Sequence, residues 1–206
     1  MLDYHTKEQI VNVINKSIKD GDFCTNESYL EAIKRVNDND SKLHIFGLLS
    51  DGGVHSHFNH IKAIIKLAQD QQVKELYVHA FLDGRDVAPD SAVKYIAELE
   101  AYMSEIKFGK IASVHGRYYA MDRDRNWDRI QVSYDILTNA KGKKANSALE
   151  GVKASYSEKV FDEFVYPFIV EEQGIIEDKD SVIFMNFRPD RAIQIGTAIS
   201  NPTASE

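Results

Sequence analysis

The sequence predicts an α/β protein. We expect a three-layer αβα arrangement around a mostly parallel (mixed) sheet, preceded by an N-terminal helical connection. Three features predict it. Short apolar runs of strand length recur along the chain: LHIFGLL, LYVHAFL, Gly109–His115 and Val182–Phe187. Each breaks abruptly into a turn of glycine or charged residues. Amphipathic helical patterns follow the turns, so strand and helix alternate as in βαβ units.

Along the chain, the first five residues carry no pattern. Thr6-x-x-Gln9 has capping-box spacing, and Ile10, Ile14 and Ile18 share one face of a helix that Gly21 would end. Asn26 is placed to cap a second helix bearing Tyr29, Ile33 and Val36. This lead-in precedes the sheet and covers no crossover, which is unusual for an independent α/β domain. After the first strand, Phe58, Ile61, Ile65 and Ala68 mark a helix. Leu76–Leu82 is the second strand, and Pro89 and Ser91 announce a helix whose face is Val93, Ile96, Leu99 and Met103. Gly109–His115 is the third strand. Tyr118–Arg125 is dense in aromatic and charged residues, and Trp127, Ile130, Tyr134 and Leu137 continue as a helix. Ser147–Tyr156 reads as another helix. Phe161–Val170 holds Pro167 among β-formers, so it is an edge strand or a bent segment. Val182–Phe187 is the last strand, Pro189 suits the first turn of a helix reaching about Ile199, and the tail NPTASE reads as a break.

The composition sets bounds on function. The chain has 206 residues, 43% of them apolar and 28% charged, enough for a real core. A net charge of −7 argues against a nucleic-acid partner. No apolar run approaches bilayer-spanning length, and no signal pattern opens the chain. The single cysteine, Cys24, excludes an internal disulfide and suits a reducing cytoplasm.

The turns carry the functional signal. SDGGVHSH, DGRD, HGR and NFRPDR each end a strand, and in a mostly parallel sheet all four lie on one rim. Gly52 and Gly53 allow backbone N–H groups to approach a ligand, and the following helix start favours an anion. The rim supplies Arg85, Arg117, Arg123, Arg125, Arg188 and Arg191, whose planar forks match phosphate and carboxylate. The plainer alternative pairs them with Asp86, Asp122, Asp124 and Asp190 as surface salt bridges. His55 is a candidate donor or acid–base group and shares its parity with His57, which could equally cap the next helix. Asp86, beside Arg85, could accept a proton from a bound hydroxyl or simply order a turn. His-x-His with DGRD raises a metal site, but no further ligands have metal spacing in these loops. Ser50 lies outside any G-x-S-x-G elbow and suits a turn. Cys24 lacks an activating setting, and Tyr118, Tyr119 and Trp127 suit packing.

LLSDGGVHSH, FLDGRDVAPDSA, GRYYAMDRDRNWDR and FMNFRPDRAIQI, in this order, closely resemble the 2,3-bisphosphoglycerate-independent phosphoglycerate mutases. The resemblance runs from about Ile14 to Ile199. It implies the substrate-binding domain that this family inserts into a phosphatase-like domain. The family's serine nucleophile and two manganese ions belong to that other domain, whose stretches would lie before residue 1 and after residue 206. The implied organisation is a linker helix over 1–22, the substrate-binding domain over 23–200 and a linker stub over 201–206. The implied substrate ligands are His55, Arg85, Asp86, Arg117, Arg123, Arg188 and Arg191, with Asp86 the candidate base and His55 a donor or proton shuttle. The implied reaction interconverts 3-phosphoglycerate and 2-phosphoglycerate in glycolysis through a phosphoserine. The isolated chain should then be inactive, bind no metal itself, and act in the cytoplasm beside its phosphatase-like partner. A metal-dependent hydrolase using His55, His57 and Asp86 is the alternative. RDRNW reverses the family's usual Asn-Arg order, so Arg125 is not carried over, and Val87 replaces a small polar residue. An inserted domain should also return its chain to the side from which it left.

Overall fold

The computed structural model describes residues 4–201, with side chains from residue 9 onward. Two helices, α1 (Tyr4–Asp20) and α2 (Glu27–Asn39), come first, separated by Gly21 in the left-handed region and a 3-10 turn at Asp22–Thr25. Asn26 caps α2, its side-chain oxygen accepting the Tyr29 N–H. The α1 helix already runs at Tyr4, so Thr6 lies within it and does not mark its start. Packing fixes α1: Asn15 bonds His60, and Ile14 and Ile18 lie against the main core.

The strands β1 (Lys42–Leu48), β2 (Glu75–Leu82) and β3 (Lys110–Gly116) alternate with α3 (Phe58–Asp70) and α4 (Ala92–Ile106). After β3 come a single helical turn α5 (Arg117–Ala120), α6 (Trp127–Asn139), β4 (Lys143–Lys144), α7 (Ala148–Ser157), β5 (Phe168–Ile169), β6 (Ser181–Phe184) and α8 (Ile193–Ser200). The six-stranded sheet has the order β4-β5-β3-β2-β1-β6. β3, β2, β1 and β6 are mutually parallel, and β5 runs antiparallel to β3. The sheet is therefore mixed and mostly parallel, as expected.

Strand alternation divides the core. Leu43 and Ile45 of β1 join Leu76, Val78 and Ala80 of β2 under α2, α3, α4 and α7. Phe46, Leu48 and Phe81 face the other way, under Ala120, Ile130, Leu137 and Ile195 of α5, α6 and α8. Three layers result. From β1 the chain winds outward to β3, whereas β6 returns to the free side of β1. The loops leaving β1 and β6 therefore diverge, and that switch point is where open α/β sheets take their ligands.

Two further expectations need correction. α8 begins at Ile193 rather than at Pro189, because residues 188–192 form a turn, with the Ala192 N–H on the Pro189 carbonyl and Arg188 paired to Asp190. β6 stops at Phe184, since the Asn186 side chain accepts the Leu48 N–H where a backbone carbonyl would continue the ladder. Of the two readings of Phe161–Val170, the bent segment is the one observed: a 3-10 turn fills Asp162–Phe164, and only Phe168–Ile169 pair, just after Pro167. β4, two exposed lysines, offered no apolar pattern to find. The tail beyond Asn201 lies outside the described residues.

Candidate functional site

The site grows from short local bonds at the ends of the parallel strands. In the first turn, the Ser56 hydroxyl donates to the Leu48 carbonyl and the Phe58 N–H to the Ser50 carbonyl, closing a loop over residues 49–57. Gly53 adopts φ +66°, and a Cβ on Gly52 would stand 3.0 Å from the Asp86 Cβ. Glycine there lets the first turn lie directly on the second.

Asp83 builds the second turn. Its Oδ1 accepts the N–H groups of Arg85 (3.1 Å) and Asp86 (2.9 Å), an Asx-type turn, while Oδ2 takes the Ser50 hydroxyl at 2.6 Å. Ser50 thus has the turn role expected of it.

Arg117, the first residue after β3, ties the turns together. It is buried, and its Nη1 donates to Asp83 (2.7 Å) and Asp86 (2.8 Å). Burial opposes its charge, but the bonds and attraction from Asp86 and Asp83 outweigh that and raise its pKa. Its Nη2 lies 3.1 Å from His55 Nε2. A guanidinium only donates, so His55 Nε2 accepts and the neutral ring carries its proton on Nδ1. That Nδ1 is buried without a hydrogen-bond partner and lies 4.0 Å from Asp190 Oδ1. Burial first, then the Arg117 charge, push the His55 pKa down to about 4, leaving a neutral donor at pH 7.

The last two turns complete the rim. The Phe187 N–H donates to the His55 carbonyl at 2.8 Å. Asp190 accepts from Arg188 Nε (2.8 Å) and Nη2 (2.9 Å), and from Arg123 Nη1 (2.8 Å). Buried Asp122 organises the loop presenting Arg123, accepting from the N–H groups of Asp124 and Asn126 and from the Asn126 and Gln194 amides. Arg191 donates to the Met121 carbonyl at 3.1 Å. Its pKa is lowered by burial and then by Arg123, Arg117 and Arg85, the mark of crowded guanidinium groups.

The structure therefore brings His55, Asp86, Arg117, Arg123, Arg188 and Arg191 together. Arg85 stands at the margin, exposed and 3.3 Å from Glu163. Salt bridging and clustering coexist: Asp86 and Asp190 do pair with arginines, but within the cluster. His57 separates from His55, its Nδ1 accepting the Asn59 N–H as the cap of α3. Arg125 bonds Gln194 through its backbone N–H. Sequence reasoning missed Asp83, legible only as the opening of a D-G turn. It also missed Glu163, whose role depends on a contact across 78 positions.

Among the described residues, no group of three or more His, Cys, Asp and Glu side chains could hold a metal ion. Asp83, Asp86 and Asp190 each accept from guanidinium groups, so the rim does not fit a metal and suits an anion.

A family model described as the BPG-independent PGAM N-terminus matches residues 14–206. A 2,3-bisphosphoglycerate-independent phosphoglycerate mutase of Clostridium botulinum (strain ATCC 19397 / Type A) is 53% identical over 197 residues, covering 94% of this chain and 39% of that protein. One of Staphylococcus aureus (strain MRSA252) is 55% identical over 194 residues, covering 94% and 38%. The crystal structure of Leishmania mexicana phosphoglycerate mutase at low cobalt concentration superposes with a TM-score of 0.87 at 35% identity, over 92% of this chain and 37% of that one. The chain thus spans about two fifths of the length of these relatives. A match across nearly every described residue, joined to a like fold and an arginine-lined rim, places the chain in the BPG-independent phosphoglycerate mutase family, as its N-terminal-type domain.

Proposed function

We propose that this chain is the substrate-gripping domain of an isomerase that interconverts 3-phosphoglycerate and 2-phosphoglycerate through a phosphoserine formed elsewhere in the enzyme. One observation carries the reading: Arg117, Arg123, Arg188 and Arg191, from turns far apart in sequence, meet beside neutral His55 on one rim. Such a rim suits a phosphorylated acid, and charge-assisted bonds of roughly 1.5–3 kcal/mol each would keep the glycerate from escaping between phosphoryl transfers. Asp86 is the candidate base for the exchanging hydroxyls, held by Arg117 at 2.8 Å. His55 would offer its Nδ1–H to a substrate oxygen, and Arg85 would close from the margin.

The serine nucleophile and the two manganese ions would sit in a phosphatase-like domain that partners this one. The first residues of α2 and the end of α8 line one groove beside β6, which supports insertion of this domain into that one. The same reading places the enzyme in the cytoplasm, consistent with the free, exposed Cys24. The hydrolase alternative loses ground because His57 serves α3 rather than the rim.

The test is Arg188→Ala with Arg191→Ala in the full-length enzyme. Mutase turnover should fall by about two orders of magnitude or more, the loss of two charge-assisted contacts. Unchanged turnover would mark the rim as a plain anion site. The 206-residue chain alone should bind 3-phosphoglycerate weakly without turnover, and stoichiometric manganese binding by calorimetry would contradict the reading.

A further inference from the structure

Asp190 stands apart from the other rim carboxylates. Asp83 and Asp86 share the buried Arg117, and Asp83 also orders a turn through backbone bonds, so these pairs belong to the scaffold. Asp190 bridges the half-exposed Arg123 and the largely buried Arg188, which come from different turns, accepting three bonds between 2.8 and 2.9 Å. It also faces the unpartnered Nδ1 of His55 at 4.0 Å, too long for a hydrogen bond. Donors from three turns thus converge on one carboxylate. They are the donor types that recognise a phosphate or carboxylate group.

Two physical points follow. Without a neighbouring anion, Arg123 and Arg191 would repel one another, and Asp190 supplies that anion. Yet Arg188 and Asp190 are two residues apart in one short turn, and the Arg123–Asp190 pair is open to solvent, where ion pairs contribute little stability. The bridge is therefore suited to exchange, whereas the Arg117 pairs are not.

Resting on the proposed function above, we infer that Asp190 is a resident counter-ion that stands in for an anionic group of the substrate. Arg123 and Arg188 pass from Asp190 to the ligand as it binds, and the ligand oxygen also takes the His55 Nδ1–H. Asp190 thereby sets how strongly the rim holds anions: it pre-forms the arginine pair and competes for it.

The test uses the 206-residue chain, with inorganic phosphate and 3-phosphoglycerate as probes in calorimetry at low salt. Removing a like charge within a few ångströms of the bound anion should tighten phosphate binding roughly tenfold in Asp190→Asn. Asp190→Glu, which keeps the charge, should show no such gain. In the wild-type chain the Arg188 Nε–H resonance should shift as phosphate saturates, a readout that stands even if Asp190→Asn fails to fold. Equal or weaker phosphate binding by folded Asp190→Asn, no phosphate binding by either form, or an Arg188 resonance unmoved at saturation would overturn the inference. If Asp190→Asn gains affinity for phosphate but neither form prefers 3-phosphoglycerate over phosphate, the counter-ion stands and the phosphoglycerate reading falls.

Discussion

Arg117 shows how one side chain can hold three turns. It is buried, and it donates to Asp83, Asp86 and His55. Only a planar fork reaches all three acceptors, so lysine is no substitute. Arg117→Met would leave a buried carboxylate at Asp83 without its countercharge. Breaking a buried pair from one side costs about 3–5 kcal/mol, and urea unfolding should show a loss of that order. Asp83→Asn should restore part of it in the double variant, which a purely steric effect of methionine would not allow. His55 reports the same change. Burial is the larger cause of its lowered pKa and Arg117 the second, so its pKa should rise only part of the way toward its ordinary value in Arg117→Met. A histidine NMR titration reads this directly.

Among the elements, the 3-10 turn at Asp162–Phe164 is the least expected and the most constraining. A Cβ at Gly84 would stand 2.8 Å from the Asp162 Cβ and 2.9 Å from the Glu163 nitrogen, at φ +66°. At Gly116 it would stand 2.5 Å from the Glu163 carbonyl oxygen. The turn thus lies across the exits of both β2 and β3, and buried Asp162 fastens it by accepting the Ala92 N–H and the Tyr156 hydroxyl. Gly84→Ala and Gly116→Ala should each destabilise by about 1–3 kcal/mol, the usual cost of overpacking, and should weaken phosphate binding by moving Arg85 or Arg117. Thermal melts and calorimetry check both, and binding at wild-type strength in either variant would show that the turn does not position the arginines. The sequence revealed the four parallel strands, the Asn26 and Ser147 helix starts and the glycine turns, because those signals are local. It could not reveal this turn. Asp162, Glu163 and Phe164 look like an interruption of a β-forming run until the loops they touch are folded beside them. α8 misled for a related reason: Pro189 is compatible with a helix start, but the Arg188–Asp190 pair, a product of the site, holds the backbone in a turn. The rim arginines were legible as a set because parallel topology alone puts four strand ends together. Which of them stand inside and which at the margin depended on Asp83 and Glu163.

Across the whole molecule, the described histidines share one property: His44, His55, His57, His60, His79 and His115 all have lowered pKa values, with burial the leading cause. Three of them form a chain across one face of the sheet. Ionised Asp180 accepts from His44 Nε2 (3.0 Å), so His44 Nδ1 must accept from His79 Nε2 (2.9 Å). His79 Nδ1 then accepts from the Ser113 hydroxyl (2.7 Å), Ser113 from His115 Nε2 (2.7 Å), and His115 Nδ1 from Ser133 (3.1 Å). One anion therefore sets every tautomer in the row, and a proton added to any ring would break a bond on one side. The consequence is global. Unfolded histidines titrate near 6.5, whereas His55 and His60 in the fold titrate at about 4 and His115 at about 3. As pH falls from about 6.5 toward 4, the unfolded chain gains protons that the native chain refuses, so stability is full above that window and declines through it. Asp162 acts in the opposite sense. Burial raises its pKa to about 6, so its contribution is present below its unfolded value and is lost as pH rises through about 6. One carboxyl offsets one histidine at most, and the histidines prevail. Each depressed histidine contributes up to about 1.4 kcal/mol per pH unit, so denaturant midpoints should fall steeply between pH 7 and pH 5. His60→Phe should make the decline shallower by about one proton, since the His60 side chain hydrogen-bonds Asn15 of α1 and meets the rim turn through ring packing on Phe187, which phenylalanine retains. A stability profile flat from pH 7 to pH 5 would mean that these histidines charge freely in the fold and that the row of tautomers is not held in solution.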